Sequence, residues 1–347
     1  MKAIVKTKPG AGNIEFMDWP TPVPGPGEVL IAVKAAGVCG TDVHILRGTY
    51  RTATPIVIGH EFAGEIVKLG PDTPRWRVGD RVVVENTVGA CGVCEMCRTG
   101  NGHICAEKRA YGTDSAGAMA EYAVFSCSAL HRIPERVSFE EAAVVEPLAV
   151  VNRGVVERGD VRPESTVVVI GPGSIGLLAT QVCRSAGARE VILAGTDRDS
   201  EVRLPLGLKC GATRVVNVQK EDLREIVSRA TDGFGADLVI EASGSPKAAQ
   251  EAIHLAGRRK TVSVIGLTGG PVTLDWDVAV FKEIDIRFSK SSTYMSWRRA
   301  LSMIEGGRVD VRTLITHRFR LSEWHEALQV AESGAAIKAI LIPDGAR

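Results

Sequence analysis

The apolar run Val167–Ile170 leads without interruption into Gly171-Pro172-Gly173-Ser174-Ile175-Gly176, which places G-x-G-x-x-G directly after a strand. Behind the glycines, Ile175, Leu178, Ala179, Val182, Cys183 and Ala186 recur at i, i+3, i+4, i+7, i+8 and i+11, the spacing of one apolar helix face. Strand, tight turn and amphipathic helix in that order bring backbone N–H groups and a helix N-terminus up to a pyrophosphate. Gly171, Gly173, Ser174, Ile175 and Gly176 are therefore candidate dinucleotide contacts. Glycines serving only a tight turn are the plainer reading, and the ordered context argues against it.

The same pattern continues beyond the turn. From about Val161 the apolar strands TVVVIG, VILAG, RVVNV, DLVIEASG and TVSVIG alternate with helix-period stretches such as SPKAAQEAIHLAG. Strands that are apolar throughout are buried on both faces, which predicts a doubly wound parallel sheet covered by helices. Gly266, which closes TVSVIG, joins the candidate cofactor contacts. A carboxylate about 20 residues past the glycines accepts the ribose hydroxyls in NAD sites. Asp197, 21 residues after Gly176, suits that role. Gly195 and Thr196 leave room for a 2′-phosphate that Arg198 would neutralise, which suits NADP, so both cofactors stay open.

Residues 1–150 are written differently, in short alternating runs such as EVLIAVKAA, with Val29, Ile31 and Val33 on one face and many Gly and Pro between runs. The last sixty residues end in the short strand IKAILIP and return to mixed character. We expect a β-rich domain over 1–150 that residues 290–347 rejoin, and a dinucleotide-binding domain over 151–289. A chain of 347 residues with 45% hydrophobic content supports two such cores. With 42 basic against 41 acidic residues, no bulk field attracts nucleic acid or an anionic membrane. No stretch reaches the roughly 18 apolar residues of a membrane span. A cytoplasmic setting is expected, and its reducing conditions turn crowded cysteines toward metal rather than disulfides.

Four of the eight cysteines, Cys91, Cys94, Cys97 and Cys105, crowd into GACGVCEMCRTGNGHIC with the spacing C-x2-C-x2-C-x7-C. That segment has few basic residues and no aromatic, which speaks against a nucleic-acid zinc module. Cys39 and the pair His60-Glu61 offer a thiolate, an imidazole and a carboxylate, the ligand types of an open catalytic zinc site. Glu146 stands inside the apolar segment AAVVEPLAV, where a carboxylate needs a strong partner. Cys127, Cys183 and Cys210 are read as plain thiols.

Cys39-Gly40-Thr41-Asp42-x-His44, Gly59-His60-Glu61-x-x-Gly64, the four-cysteine segment, Glu146-Pro147-Leu148 and the Gly171–Gly176 turn agree in order and spacing with one family. The chain resembles zinc-dependent members of the medium-chain dehydrogenase/reductase superfamily, in the sorbitol (polyol) and threonine dehydrogenase branch. The resemblance implies a GroES-like β-rich catalytic domain plus a Rossmann domain, and hydride transfer between a secondary alcohol and NAD or NADP. It implies a catalytic zinc at Cys39 and His60, with Glu61 and Glu146 competing for or sharing the remaining positions. Thr41 would pass the proton outward, by way of the ribose and His44. Cys91, Cys94, Cys97 and Cys105 would hold a structural zinc, giving two zinc ions per chain. A homodimer or homotetramer is implied too, for which PVTLDWDVAVF near 271–281 is a candidate edge strand.

Two departures bear on substrate. Sorbitol-type relatives carry an arginine for sugar hydroxyls where Ser292 falls in FSKSSTYMSWRRA, and the chain is one residue longer around its second Rossmann strand. A sugar alcohol or other secondary alcohol is the expected substrate, with the ketone as product. The alternatives are a zinc-free quinone or enoyl reductase, which would not need Cys39, His60 and Glu61 together, and a non-enzymatic zinc-binding protein.

Overall fold

A computed structural model describes residues 1–345 and divides them into two compact units, 1–146 with 293–305 and 311–345, and 147–292 with 306–310. In the first unit a seven-stranded sheet runs in the order Leu130–Arg132, Arg81–Val84, Glu61–Leu69, Glu28–Gly37, Lys338–Ile342, Ile315–Arg320, with Tyr122–Ser126 also paired to Glu28–Gly37. Val29, Ile31, Val33 and Ile66 are buried along its inner face. Phe62 stacks on Phe125 with ring centroids 4.6 Å apart, and Tyr111 meets Phe125 edge-on at 4.7 Å. Each such buried side chain contributes about 1.5–3 kcal/mol. Because side chains alternate along a strand, anchoring Phe62 in this core turns its neighbour Glu61 toward the other face.

The returning strand Lys338–Ile342 completes this unit. It lies antiparallel to Glu28–Gly37, with Ile340 opposite Gly37, and Gly37 is in turn opposite Glu61 on the next strand. The C-terminal strand is thus brought within one strand of Glu61–Leu69.

In the second unit six parallel strands stand in the order Arg214–Asn217, Glu190–Gly195, Thr166–Ile170, Ala236–Glu241, Ala256–Val264, Asp285–Phe288. Val167, Val168 and Val169 are all fully buried, as an uninterrupted apolar run between two helical layers must be. The chain winds outward from Thr166–Ile170 in one direction and then, from Ala236, in the other. The reversal leaves a crevice at the carboxyl ends of these two central strands.

The segment near 271–281 departs from the expected edge strand. Trp276–Lys282 is an α-helix, and the edge is Asp285–Phe288. Val278, Ala279, Val280 and Phe281 are consecutive apolar residues without the alternation of a half-buried strand, and Asp275 stands at the helix N-cap. Among the described residues no helix is long and apolar enough to cross a membrane.

Candidate metal centres and cofactor cradle

The four-cysteine segment folds into a short helix, Glu95–Arg98, and a 3-10 turn, Gly102–Ile104, that fold the chain back on itself. The sulfurs of Cys91 and Cys97 are 3.9 Å apart, those of Cys94 and Cys105 3.8 Å, and those of Cys105 and Cys91 3.7 Å. A disulfide would bring two of them to about 2.05 Å. A tetrahedral ion with Zn–S bonds of about 2.3 Å instead requires sulfurs roughly 3.8 Å apart, as found. Backbone N–H groups of Cys91 and Glu107 hold the Cys105 thiol below its usual pKa, which favours the thiolate a metal needs.

The second cluster joins Cys39, His60 and Glu61, whose ligand atoms all lie within 4.8 Å of one another. Cys39 is the extended N-cap of the helix Gly40–Leu46, and its backbone N–H donates to Asp42 Oδ2 at 2.9 Å, which fixes the turn. Gly37 faces Glu61 so closely that a Cβ there would lie 2.4 Å from Glu61 Oε2. Lys338 Nζ donates to that same Oε2 at 2.6 Å and to the Val38 carbonyl at 3.1 Å. Both partners of this ion pair are buried, at 3% and 1% exposure.

Glu146 is also buried, and its Oε1 accepts from Asn86 Nδ2 at 2.8 Å. Burial raises its pKa to about 7, against the opposing pull of His60 and Lys338. Burial alone would lower the pKa of His60, but the Cys39 sulfur and Asp42 raise it well above the usual histidine value. Asp42 Oδ1 is buried without a hydrogen-bond partner among the described residues. Among the described residues the positive groups that act on Asp42 and Glu146 are Lys338 and His60, and Lys338 pairs with Glu61, so this cluster with Cys39 carries a surplus of acidic groups that a divalent cation offsets. The donor set of thiol, imidazole and carboxylate fits zinc.

Of the relay residues, half-buried Thr41 has its Oγ1 3.7 Å from Cys39 Sγ, whereas His44 is exposed and contacts Thr49 Oγ1 through Nδ1 at 3.1 Å. Sequence reasoning missed Lys338, Asn86 and the role of Asp42. A lysine inside the apolar run IKAILIP was the one available signal.

In the second unit Gly171 takes φ +102°, and a Cβ on it would strike Ser243; a Cβ on Gly176 would lie 1.8 Å from the Gly171 carbonyl. Gly173 is the N-cap of the helix Ser174–Ser185, so Ser174 and Ile175 belong to its first turn. Any Cβ on Gly266 would come within 2.3 Å of Glu241 Oε2. Thr196 donates to Asp199 through its N–H and hydroxyl, both at 2.9 Å. Asp197 follows the strand Glu190–Gly195 and is exposed; its Oδ1 accepts from Asn217 Nδ2 at 2.7 Å, which lowers its pKa. Arg198 is exposed beside it.

The alcohol dehydrogenase GroES-like domain family matches residues 25–135, and the zinc-binding dehydrogenase family matches 174–306. Over 348 residues the chain is 39% identical to sorbitol dehydrogenase of Halalkalibacterium halodurans, covering 99% of each chain. It is 34% identical to D-arabitol-phosphate dehydrogenase of Enterococcus avium, covering 98% of this chain and 97% of that one. A solved zinc-binding dehydrogenase of Sinorhizobium meliloti 1021 bound to NADP superposes with a TM-score of 0.92 at 30% identity, covering 99% of both chains. The chain belongs to the zinc-dependent medium-chain dehydrogenase/reductase superfamily, in its polyol and threonine dehydrogenase branch. It is a polyol or alcohol dehydrogenase that uses zinc and a nicotinamide dinucleotide.

Proposed function

We propose that the chain oxidises a secondary hydroxyl of a sugar alcohol, reversibly, at a zinc held by Cys39, His60 and Glu61. The observation that carries this assignment is the convergence of those three ligand atoms within 4.8 Å. When bound, zinc supplies Lewis acidity toward the substrate oxygen, and the nicotinamide accepts the hydride. Three protein ligands leave a fourth position for substrate or water. Glu146, held by Asn86, would compete with Glu61 for a place on the ion or share it, while Lys338 keeps Glu61 in place. Thr41 takes the hydroxyl proton and passes it toward His44. Cys91, Cys94, Cys97 and Cys105 close the second site and keep that lobe folded.

For the cofactor we propose NAD, held by the Gly171–Gly176 turn with Ser174 and Ile175, bordered by Gly266, with Asp197 on the ribose hydroxyls. Thr196 shapes that corner. Arg198 favours the second reading, NADP, and the Sinorhizobium meliloti relative binds NADP. We assign catalysis to residues 1–150 with 290–347 and cofactor binding to 151–289. A reducing compartment such as the cytoplasm suits eight cysteines that form no disulfide.

A homodimer or homotetramer is proposed from the edge of the six-stranded sheet. Phe288 on that edge is 70% exposed, and the adjacent helix presents Trp276 at 71% and Phe281 at 74%. Light scattering at micromolar concentration tests it; a monomer overturns it.

The catalytic reading is tested by assaying neutral polyols and secondary alcohols with NAD and with NADP on zinc-replete protein. Turnover of a polyol that zinc chelation abolishes and zinc restores is expected. Full turnover of a quinone or enoyl substrate by the zinc-free protein would replace this reading with that of a reductase.

A further inference from the structure

The strand Ala236–Glu241 ends at the crevice of the six-stranded sheet on a carboxylate that the cofactor assignment leaves without a role. Glu241 stands opposite Ile170, the last residue before the Gly171 turn, and opposite Val264, two residues before Gly266. It is wholly buried. Its Oε1 accepts from the Ser243 N–H at 2.8 Å, the Ser243 hydroxyl at 2.5 Å and the Gly244 N–H at 3.0 Å. Its main-chain carbonyl accepts from the N–H groups of Ile265 and Gly266 at 2.9 and 3.1 Å. Oε2 has no hydrogen-bond partner among the described residues and lies against Gly266, where a Cβ would come within 2.3 Å of it.

One residue thus fixes two loops, the backbone of Glu241 holding 265–266 and its carboxylate holding 243–244. The loops also close on each other and on the pyrophosphate turn. A Cβ on Gly244 would lie 2.5 Å from the Leu267 carbonyl, and one on Gly171 would lie 2.7 Å from Ser243 Cβ. Ser243 and Leu267 are exposed, so the outer surface of both loops is open to a ligand. Asp197 follows the strand Glu190–Gly195, on the other side of Thr166–Ile170. A dinucleotide with its adenosine at Asp197 and its pyrophosphate on the Gly171–Gly176 turn runs its nicotinamide half over the ends of Ala236–Glu241 and Ala256–Val264. The loops that follow those two strands are the ones that Glu241 holds.

We infer that Glu241 is a positioning residue for the nicotinamide half of the cofactor: as the acceptor for Ser243 and Gly244 it holds both loops in the shape that receives that half. It acts through the loops and touches no reacting atom. This inference rests on the cofactor placement proposed above, with the adenosine at Asp197. Removing the acceptor leaves the Ser243 and Gly244 N–H groups without their partner and unties 243–244 from 265–266. The test titrates NAD and ADP calorimetrically into the zinc-replete parent, Glu241→Ala, Glu241→Asp and Glu241→Gln. ADP fills the adenosine and pyrophosphate positions alone. Glu241→Asp, which withdraws the carboxylate by one methylene, serves if Glu241→Ala does not fold.

The Kd for NAD should rise about tenfold in Glu241→Ala and Glu241→Asp, while the Kd for ADP stays within about twofold of the parent. Glu241→Gln should bind both ligands nearly as the parent does, because its amide oxygen accepts the same three hydrogen bonds. Equal losses for NAD and ADP in the folded variants would show a general disturbance of the domain and overturn the inference. Unchanged NAD affinity in Glu241→Ala and Glu241→Asp, or a Glu241→Gln that loses NAD as Glu241→Ala does, overturns it too. Asp197→Ala controls the placement and should weaken NAD and ADP alike. If it weakens neither, the placement fails and this inference falls with it; if it weakens both, the Glu241 variants decide the inference by themselves.

Discussion

Lys338→Met removes the ammonium from the buried pair with Glu61 while keeping a side chain of similar length. The parent has Nζ 2.6 Å from Glu61 Oε2 and 3.1 Å from the Val38 carbonyl, with both side chains almost wholly removed from water. Breaking one partner of such a pair leaves an uncompensated buried carboxylate, and the expected loss of stability is about 3–5 kcal/mol in the zinc-free protein. Zinc at the Cys39 centre competes with Lys338 for the same carboxylate, so the zinc-replete variant should lose less. The difference between the two losses equals the tightening of zinc binding, about 1.4 kcal/mol for each tenfold. Urea unfolding of parent and variant, each with and without zinc, measures all four corners; the structural zinc is common to both proteins and cancels. Adding Glu61→Gln to the variant should recover much of the loss, because the stranded charge is then gone. A loss below about 1 kcal/mol in both zinc states would refute the claim that this pair is a desolvated, compensating contact.

Further expectations concern the other sites. Asp197→Ala should weaken NAD by about 1–3 kcal/mol and shift the NAD/NADP ratio of kcat/KM, whereas Arg198→Ala should affect NADP alone; an unchanged ratio in both variants places discrimination elsewhere. Cys97→Ser should remove one zinc, lower the thermal midpoint and leave measurable activity in the protein that folds, and a complete loss of activity in folded protein would contradict a purely structural role. Phe288→Asp at the sheet edge should shift the assembly toward monomer in light scattering, and an unchanged mass would exclude that edge as the interface.

The parallel sheet was legible because Val167, Val168 and Val169 are buried on both faces, which leaves no polar alternation to disguise the strand. Cysteine spacing was legible for a related reason: four thiols within fifteen residues have few arrangements other than a shared ion. Cys39 and His60-Glu61 also announced themselves, since ligand types in a reducing setting are few. Lys338 was not legible. Its partner is 277 residues away, and only the pairing of the returning strand with Glu28–Gly37 brings the two together. Asn86 likewise acts through a contact 60 residues distant. The stretch near 271–281 reads as an edge strand because it is apolar, but Trp276–Lys282 within it is a helix that exposes Trp276 and Phe281, and composition alone does not tell the two apart.

Zinc stoichiometry by mass spectrometry, with polyol oxidation assayed on the same samples, tests the central claim most directly when parent and His60→Ala are compared. The account predicts two zinc ions per parent chain, and in His60→Ala a folded protein with one zinc and at least about 1000-fold lower kcat/KM. A His60→Ala protein that keeps both ions and its activity, or a parent that oxidises the polyol without zinc, would contradict it.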